Sequence, residues 1–428
     1  MSLVIEAIHA TEVLDSRGNP TVSAEVRLAD GTTAEASVPS GASTGSHEAV
    51  ELRDGDPHRY AGRGVLRAVG NVNQILAPEL RGMDASGQAA IDARMIELDG
   101  TPNKSRLGAN AILAVSCAVA RAAAAARRMP LWRHLADGRH AVLPVPMVNI
   151  LSGGLHAGSH IEFQDFLVVP RGFATCAQAL EAIVAVHRAA RRVVEDRGLV
   201  LTGVADEGGW GPRFQSNEQA LEILSEAIRV SGYLPGTSPH GAAGPHMAIA
   251  IDAAATHFRR DGAYALASEG RGLSPAGMIA LLERWVAEYP VISIEDGLAE
   301  DDWEGWRSLT ASLGSRVQLI GDDLFATNLD RLNRGIANFV ANSVLVKMNQ
   351  AGTLTETFAV IDRAREAGYG AVISARSGET EDAFLADLAV ASGAGQIKVG
   401  SVRTSERLAK YNRLLKLEGS GDPPGRHR

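Results

Sequence analysis

Three carboxylates stand at the ends of short apolar runs in the second half of the chain: Asp252, Glu295 and Asp322. If these runs are neighbouring strands of a parallel barrel, their carboxyl ends meet at one mouth of that barrel. Closely packed like charges repel and require a cation, and an all-oxygen ligand set favours Mg²⁺ or another hard divalent ion. The alternative is that each carboxylate caps a following helix. Three such positions on consecutive strands favour a metal site.

Two lysines continue the same pattern. Lys347 ends the next apolar run, and Lys398 lies inside the last one. Only five of the 42 basic residues are lysine, so a casual surface lysine is less expected here. Near metal-bound carboxylates the neutral form of lysine becomes accessible, which suits a general base. The alternative is a structural ion pair inside the barrel, because a buried lysine needs a partner.

Four polar segments elsewhere in the chain are candidate ligand-binding loops: Val38–Gly45, Gly153–His160, Ala205–Pro212 and Ala375–Asp382. The first is rich in glycine and serine and suits close backbone approach to phosphate or metal, although such loops are mostly turns. The second carries two histidines, and the third presents Asp206 and Glu207. The fourth offers Arg376 and Ser377 at a strand end, which suits an oxyanion such as phosphate.

Apolar runs alternate with helical patterns after about residue 142, which indicates a parallel α/β sheet. The runs are Met247–Asp252, Val291–Asp296, Val317–Asp323, Ser343–Asn349, Ala371–Ser374 and Gln396–Gly400. Helical spacing lies between them, for example at Ala276–Glu288 and Thr353–Ala367. The tail, residues 419–428, has the composition of a disordered segment.

The first third of the chain has strand patterns followed by helical ones, which is typical of a compact α+β domain. Residues 21–40 alternate apolar and polar around Asp30-Gly31, a hairpin signature. From Ala61 to about Arg128 the spacing is helical. Leu143–Pro146 has the composition of a junction, because its prolines disfavour regular structure and stiffen the connection.

The composition restricts the setting of the protein. Its net charge of −8 provides no basic field for nucleic acid. Cys117 and Cys176 form neither a disulfide framework nor a zinc motif, so we expect a cytoplasmic protein. The N-terminus lacks the pattern of a signal peptide. The apolar stretch Ala109–Ala120 is too short to span a bilayer and predicts a buried helix, so no membrane partner is expected.

A series of motifs, in order along nearly the whole chain, resembles the enolase family. They are LDSRGNPTV, SGASTG, ELRDGD, NKSRLGANAIL, DEGG, SIED, GDDL, KMNQ, RSGETED, GQIKVG and SERLAKYN. The resemblance implies an α/β fold, with an N-terminal α+β domain over residues 1–135 and a C-terminal eight-stranded enolase-type barrel over 142–418. It also implies a homodimer or higher homo-oligomer.

The resemblance further implies Mg²⁺-dependent dehydration of 2-phosphoglycerate, a small phosphorylated acid. Asp252, Glu295 and Asp322 would bind one Mg²⁺, and Ser40 would help to bind a second that arrives with substrate. Lys347 would remove the proton from C2. Because a proton next to a carboxylate is very weakly acidic, two metal ions are needed to stabilise the resulting negative charge.

The remaining matched residues would contact other parts of the substrate. By the same resemblance, Glu207 would act as general acid on the leaving hydroxide. Lys398 would hold the carboxylate, Arg376 with Ser377 the phosphate, and His156 would close over the site.

The sequence departs from the family pattern on the leaving-group side. Asp165 stands where the family has glutamate beside the general acid. Aspartate is one methylene shorter, so its carboxylate is displaced, and a misplacement of about 1 Å can cost about a hundredfold in rate. Ala375 replaces a histidine, so that position cannot carry a proton. Smaller changes are Ser152 for asparagine and Thr256-His257 for Ser-Glu.

Three hypotheses follow from these departures. The protein is a working enolase, slower or compensated by His160 or His257. Alternatively, it is a paralogue that handles a phosphonylated acid, as enolase-like proteins do when they form carboxyphosphonoenolpyruvate in phosphonate antibiotic pathways. The third and least favoured is a non-catalytic binding protein or scaffold, because decay would not spare three carboxylates and both lysines.

Overall fold

Three antiparallel strands and five helices form the N-terminal unit. The computed structural model describes residues 3–41, 47–237, 244–421 and 424–426. The strands are β1 Ile5–Leu14, β2 Pro20–Leu28 and β3 Thr33–Ser37. The helices are α1 Leu66–Asn71, α2 Ala77–Leu80, α3 Gln88–Asp99, α4 Ala109–Ala126 and α5 Leu131–Ala136, with a π-helical turn at Val72–Leu76 between the first two.

The predicted hairpin is confirmed. β2 and β3 pair antiparallel across a turn in which Gly31 has a φ of +86°, and the Asp30 carboxylate accepts a hydrogen bond from the amide of Thr32 at 2.9 Å. α4 packs on this sheet through an alanine-rich surface, since small side chains allow close approach and alanine favours helix. By length and composition α4 is apolar enough to cross a membrane. However, 89 % of this helix is buried inside the protein, as expected of a core helix.

The second unit contains the barrel. Its strands are β4 Val142–Leu143, β5 Val145–Ser152, β6 Asp165–Arg171, β7 Leu234–Pro235, β8 His246–Asp252, β9 Arg259–Arg260, β10 Ala263–Leu266, β11 Arg271–Leu273, β12 Val291–Glu295, β13 Gln318–Gly321, β14 Ser343–Val346, β15 Gly370–Ser374, β16 Gln396–Gly400 and β17 Gly425–Arg426. Its helices are α6 Cys176–Asp196, α7 Asn217–Val230, α8 Pro275–Glu288, α9 Trp303–Leu313, α10 Leu329–Ala337, α11 Met348–Ala351, α12 Leu354–Glu366, α13 Phe384–Ser392 and α14 Ser405–Glu418.

Eight strands close the barrel in the order β5, β6, β8, β12, β13, β14, β15 and β16, with β16 pairing back to β5. The α/β fold class is therefore confirmed. Side chains from alternate positions fill the interior, as in packed barrels. This inner core consists of Met147, Leu167, Val169, Ala248, Ala250, Ile320, Leu345 and Val372.

The expectation of a wholly parallel sheet is wrong at one strand. β6 runs antiparallel to both β5 and β8. The cause is the connection from β5, residues 153–164, which contains a 3₁₀ turn and no crossover helix, so the chain reverses direction at once. Asp165 therefore begins its strand at the mouth where Ser152 and Asp252 end theirs, and it pairs in register with both.

One further expectation needs correction. Leu143–Pro146 is not an irregular junction, since β5 begins at Val145 and Pro146 pairs in register with Ile397; proline is tolerated near the start of a strand. In the tail, Gly425 and Arg426 pair with β4, where the amide of Gly425 donates to the carbonyl of Ala141. Residues 422–423 and 427–428 of that tail lie outside the described residues.

Candidate active site

Three neighbouring strands carry the predicted carboxylates to one mouth of the barrel. Asp252 is the last residue of β8, Glu295 is the last of β12, and Asp322 follows β13 directly. β12 pairs with β8 on one side and with β13 on the other, and Glu295 is in register with Asp252. The sheet therefore groups the three side chains, each no more than 8 % exposed.

Both predicted lysines contact these carboxylates. The Lys398 ammonium lies 2.7 Å from Asp252 Oδ2 and 2.8 Å from each carboxylate oxygen of Glu295. Lys347, at the end of β14, donates to Asp322 Oδ2. The structural ion pair that was the alternative for these lysines is thus present, on the same carboxylates that were expected to hold a metal.

The charges of this cluster shift one another's pKa values. Burial, with the negative charge of Asp252, raises the pKa of Glu295 well above its usual value. Burial alone would lower the pKa of Lys347, but the carboxylate of Asp322 reverses this and the pKa is raised. The pKa of Lys398 is raised in the same way by Asp252 and Glu295. A lysine so tightly paired with carboxylates holds its proton.

Asp296 is a functional candidate that the sequence reasoning missed. Its carboxylate accepts hydrogen bonds from the amides of Asp322 at 3.0 Å and Asp323 at 2.8 Å, and so orients the turn after β13. Its own φ is +43°, a strained value of the kind found at functional sites. Ligand oxygens of Asp296, Asp322 and Asp323 lie within 4.8 Å of one another and could hold a metal ion. The SIED motif, with two adjacent acids, was the available signal.

A second group of side chains that could hold a metal ion, namely His156, Asp165 and Glu207, forms another wall of the site. His156 lies in the 3₁₀ turn after β5, with its Nδ1 3.1 Å from Asp165 Oδ2 and its Nε2 3.9 Å from Glu207 Oε1. Asp165 also accepts hydrogen bonds from Asn149 and, at 3.1 Å, from the hydroxyl of Ser152. The structure thus brings the two expected acids and the expected histidine together.

The loop that carries Glu207 is fixed between two strands. The amide of Trp210 donates to the carbonyl of Ile150 in β5, and the amide of Ser401 donates to the carbonyl of Glu207. Gly209 is required here, because an added Cβ would lie 2.7 Å from the Ser152 hydroxyl oxygen. The backbone of this loop therefore packs directly against Ser152, whose hydroxyl donates to Asp165.

Arg376 and Ser377 follow β15 and face the cavity, as predicted for an anion site. Arg376 is buried, and its Nη1 donates to Glu48 Oε2 at 2.9 Å and to Asn349 Oδ1 at 2.8 Å. Arg407, which is fully buried, donates to the carbonyls of both residues at 2.6 and 2.7 Å. Neither Glu48 nor Asn349 was predicted as a site residue, because their contacts with Arg376 exist only in the folded chain.

Ser40 lies apart from the acidic cluster. Its hydroxyl donates to Asp15 Oδ2 at 2.6 Å, and its amide pairs with the carbonyl of Gly378 at 2.8 Å. It is buried beside the segment that follows Arg376 and does not line the described cavity. Residues 42–45 of the predicted loop Val38–Gly45 lie outside the described residues.

One cavity joins these walls. Its lining includes most of the predicted site residues, while Glu295 and Asp165 lie behind it as fully paired side chains. Ala375 and His257 also line it, whereas His160 is exposed and does not. The lining residues that the sequence analysis had proposed are His156, Glu207, Asp252, Asp322, Lys347, Arg376, Ser377 and Lys398.

Comparison with known proteins agrees with this architecture. The family model described as the C-terminal TIM barrel domain of enolase matches residues 140–422, and that of the enolase N-terminal domain matches residues 5–135. An enolase of Acidothermus cellulolyticus is 55 % identical over 424 residues, which cover 99 % of this chain and 96 % of that protein. The chain belongs to the enolase family.

Membership of the enolase family makes the protein an enolase-type lyase. The hypothesis of a non-catalytic scaffold is accordingly not favoured. The two departures from the family pattern occupy different places in this site. Ala375 borders the cavity, whereas Asp165 lies behind His156.

Proposed function

We propose that this lyase dehydrates 2-phosphoglycerate to phosphoenolpyruvate and water with the help of Mg²⁺. The observation that supports this most directly is a single cavity bordered by Lys347, the Arg376–Ser377 anion site and the His156–Glu207 pair. A base, an anion-binding wall and a proton-bearing wall are the parts that β-elimination from a phosphorylated acid requires.

The residues at the mouth fit a hard divalent cation. Asp252, Glu295 and Asp322 offer only oxygen, which Mg²⁺ prefers. Burial and mutual repulsion raise the pKa of Glu295, and a divalent cation would relieve that repulsion. When bound, Mg²⁺ would stabilise negative charge on the substrate carboxylate and draw Asp322 away from Lys347, which favours the neutral, basic form of that lysine.

The side chains of this chain would divide the remaining work. Lys347 would take the C2 proton. Lys398, next to Asp252 and Glu295, would pair with the substrate carboxylate. Arg376 would bind the phosphate through its planar, always charged guanidinium, held in place by Glu48.

The assignment is tested with purified protein, Mg²⁺ and 2-phosphoglycerate, by following the ultraviolet absorbance of the enolpyruvate double bond. Lys347→Ala should reduce kcat by at least about 10²- to 10⁴-fold, because the base is lost. The matched control is Lys416→Ala, which changes an exposed lysine and should leave the rate unchanged. Full activity in Lys347→Ala would refute the role of this lysine.

A second substrate class remains a candidate because Ala375 borders the cavity. Alanine where the family has histidine leaves room for a different or larger group, as in a phosphonylated acid that would yield a carboxyphosphonoenolpyruvate-like product. Turnover of 2-phosphoglycerate at the rate of an ordinary enolase would exclude this alternative. Absence of turnover, together with Mg²⁺-dependent binding of the compound, would favour it.

A further inference from the structure

A buried arginine of α14 bridges two barrel strands just beyond the point where their own pairing ends. The register between β15 and β16 ends at Lys398. Past this point, Nη1 of Arg407 donates to the carbonyls of Arg376 at 2.6 Å and Val399 at 3.0 Å. Its Nη2 donates to the carbonyl of Ser377 at 2.7 Å. The guanidinium group thereby joins the two strand ends beyond their last paired residue.

The bridged carbonyls belong to residues that border the reaction cavity or adjoin one that does. Arg376 and Ser377 form the proposed anion site, and Val399 follows Lys398, which is proposed to hold the substrate carboxylate. The position of the guanidinium group therefore affects the spacing between these two sites. Arginine suits this task, because its planar group presents its N–H donors in fixed directions.

The stem of Arg407 also packs beside the loop that carries Glu207. Gly400, the last residue of β16, has a φ of +100°, and a Cβ added there would lie 3.2 Å from Arg407 Cδ and 2.9 Å from the carbonyl oxygen of Glu207. The same carbonyl accepts a hydrogen bond from the amide of Ser401 at 2.8 Å. The anion site, the end of β16 and the Glu207 loop therefore meet around one fully buried side chain.

The positive charge of Arg407 has only a loose ion pair. Among the residues that the structure describes, no carboxylate accepts a hydrogen bond from it; Glu406 Oε1 lies 3.4 Å from Nε and accepts instead from the Thr404 hydroxyl at 2.6 Å. Buried charges are costly, and apolar replacements of buried ion pairs are often no less stable. Stability alone therefore explains this arginine poorly.

The charge of Arg407 also reaches the cavity. Burial would raise the pKa of Glu207, but the positive charges of His156 and then Arg407 outweigh this and lower it. Arg407 accordingly adds to the positive potential that an anionic substrate meets at this wall.

We propose that Arg407 is a positioning residue for the anion site. Its three hydrogen bonds hold the main chain of Arg376 and Ser377 so that both side chains face the substrate phosphate at a fixed distance from Lys398. This inference rests on the proposed dehydration of 2-phosphoglycerate. It adds to that reaction a residue that does not itself line the cavity.

The role of the phosphate in the reaction determines which kinetic constant should change. Dehydration breaks the C2–H and C3–O bonds, and the phosphate group keeps all of its own. Contacts with the phosphate are therefore nearly equal in the ground state and the transition state. Loss of such uniform binding raises KM and leaves kcat unchanged. A general disturbance of the site would lower kcat instead.

The first test compares Arg407→Met with the unmodified protein in Mg²⁺ and 2-phosphoglycerate. The KM of the variant should rise at least about tenfold, with kcat changed by less than about threefold, as expected for lost uniform binding. Exchange of the C2 proton in D₂O, measured by nuclear magnetic resonance at saturating substrate, should persist because Lys347 is intact. A lower kcat with unchanged KM, or no change in either constant, would overturn the proposal.

The matched control is Arg413→Met, in the same helix. Arg413 donates to both carboxylate oxygens of the buried Asp387, at 2.8 and 2.7 Å, and neither residue lines the cavity. Its loss leaves a buried carboxylate without its partner, so the variant should be less stable but should keep the KM of the unmodified protein. An equal rise in KM would show that any damage to α14 has this effect, and the proposal would fail.

Arg407→Lys separates the shape of the group from its charge. An ammonium group keeps the positive charge but cannot reproduce the fixed fork of the guanidinium group. The KM should therefore rise again, by less than in Arg407→Met. A KM equal to that of the unmodified protein would contradict a role for the three hydrogen bonds. The same variant decides the question if Arg407→Met does not fold.

Binding of inorganic phosphate tests the anion site without turnover. Isothermal titration calorimetry in Mg²⁺ measures its dissociation constant, which Arg407→Met should raise by a factor similar to that of KM. Arg413→Met should leave the constant unchanged. Equal phosphate binding by Arg407→Met and the unmodified protein would refute the role of Arg407.

The outcomes distinguish this inference from the function on which it rests. Unmodified protein that binds phosphate but does not dehydrate 2-phosphoglycerate would overturn the proposed reaction alone, and weaker phosphate binding by Arg407→Met would still support the role of Arg407. Unmodified protein that does neither would overturn both proposals.

Discussion

Lys398 neutralises two buried carboxylates with a single ammonium group. Asp252 and Glu295 are each only 2 % exposed, and without this ammonium group their carboxylates would repel each other. A buried charge is tolerated only when it is paired, because its desolvation is costly. The same lysine is proposed to bind the substrate carboxylate, so at this residue stability and function share one side chain.

Removal of that ammonium should make folding depend on metal. We expect Lys398→Met to lose about 3–5 kcal/mol of unfolding free energy in EDTA, since two carboxylates become unpaired. Saturating Mg²⁺ should recover much of this, because about 2.7 kcal/mol is available when a ligand is present at a hundred times its dissociation constant. Urea unfolding with and without Mg²⁺ measures both values, with Lys416→Met as the exposed control. Equal losses in EDTA and Mg²⁺ would contradict a cation site at these residues.

At the scale of elements, α4 holds the segment after β15, which carries the Arg376–Ser377 anion site. Arg121, in α4, donates through both terminal nitrogens to Asp382, at 2.9 and 2.6 Å. The amide of Ser37 in β3 donates to the same carboxylate. One acid at the end of the RSGETED segment thus anchors it to a helix and a strand of the other unit.

Arg121→Ala should destabilise the protein by about 3–5 kcal/mol, because it leaves the largely buried Asp382 carboxylate without its bidentate partner. The matched control is Arg94→Ala. Arg94 pairs with two exposed glutamates, and such surface pairs contribute only about 0–1 kcal/mol. Urea unfolding gives both values. Equal effects of the two substitutions would show that Asp382 does not need Arg121.

On the scale of the whole molecule, the N-terminal unit and the barrel unit contact each other at several points. The amide of Ser16 donates to Glu379, and that of Ala49 donates to Gln350. Lys104 pairs with Glu356 at 2.8 Å, and Glu48 pairs with Arg376 at the active site itself. Arg376, which lines the cavity, is therefore held by the N-terminal unit, so neither unit completes the cavity wall alone.

Because of these contacts, we expect both units to unfold in one transition. Tryptophan fluorescence reports mainly on the barrel, since four of the five tryptophans follow residue 200, whereas far-ultraviolet circular dichroism reports on both units. The two signals should change together in urea. We also propose a homodimer or higher homo-oligomer, as the family resemblance implies, and this predicts an unfolding midpoint that rises with protein concentration. Two separate transitions would contradict the coupling, and a constant midpoint would contradict the oligomer.

The sequence predicted the parts that repeat locally. The hairpin at Asp30-Gly31 and the buried helix at Ala109–Ala120 follow from side-chain periodicity and turn chemistry, which neighbouring residues determine. The strand-end acids followed from the same pattern, combined with the rule that parallel strands end at one mouth. The motifs then identified the family before any contact was known.

The sequence by itself thus determined the fold class, the family and the identity of most residues at the barrel mouth. Only the tertiary structure decided the direction of β6, which brings Asp165 to the mouth from the start of a strand. It alone placed Lys398 between Asp252 and Glu295, and Asp165 behind His156. The physical reason is that pKa values and hydrogen-bond partners depend on distances between residues far apart in the chain. A list of residue types carries no such distances.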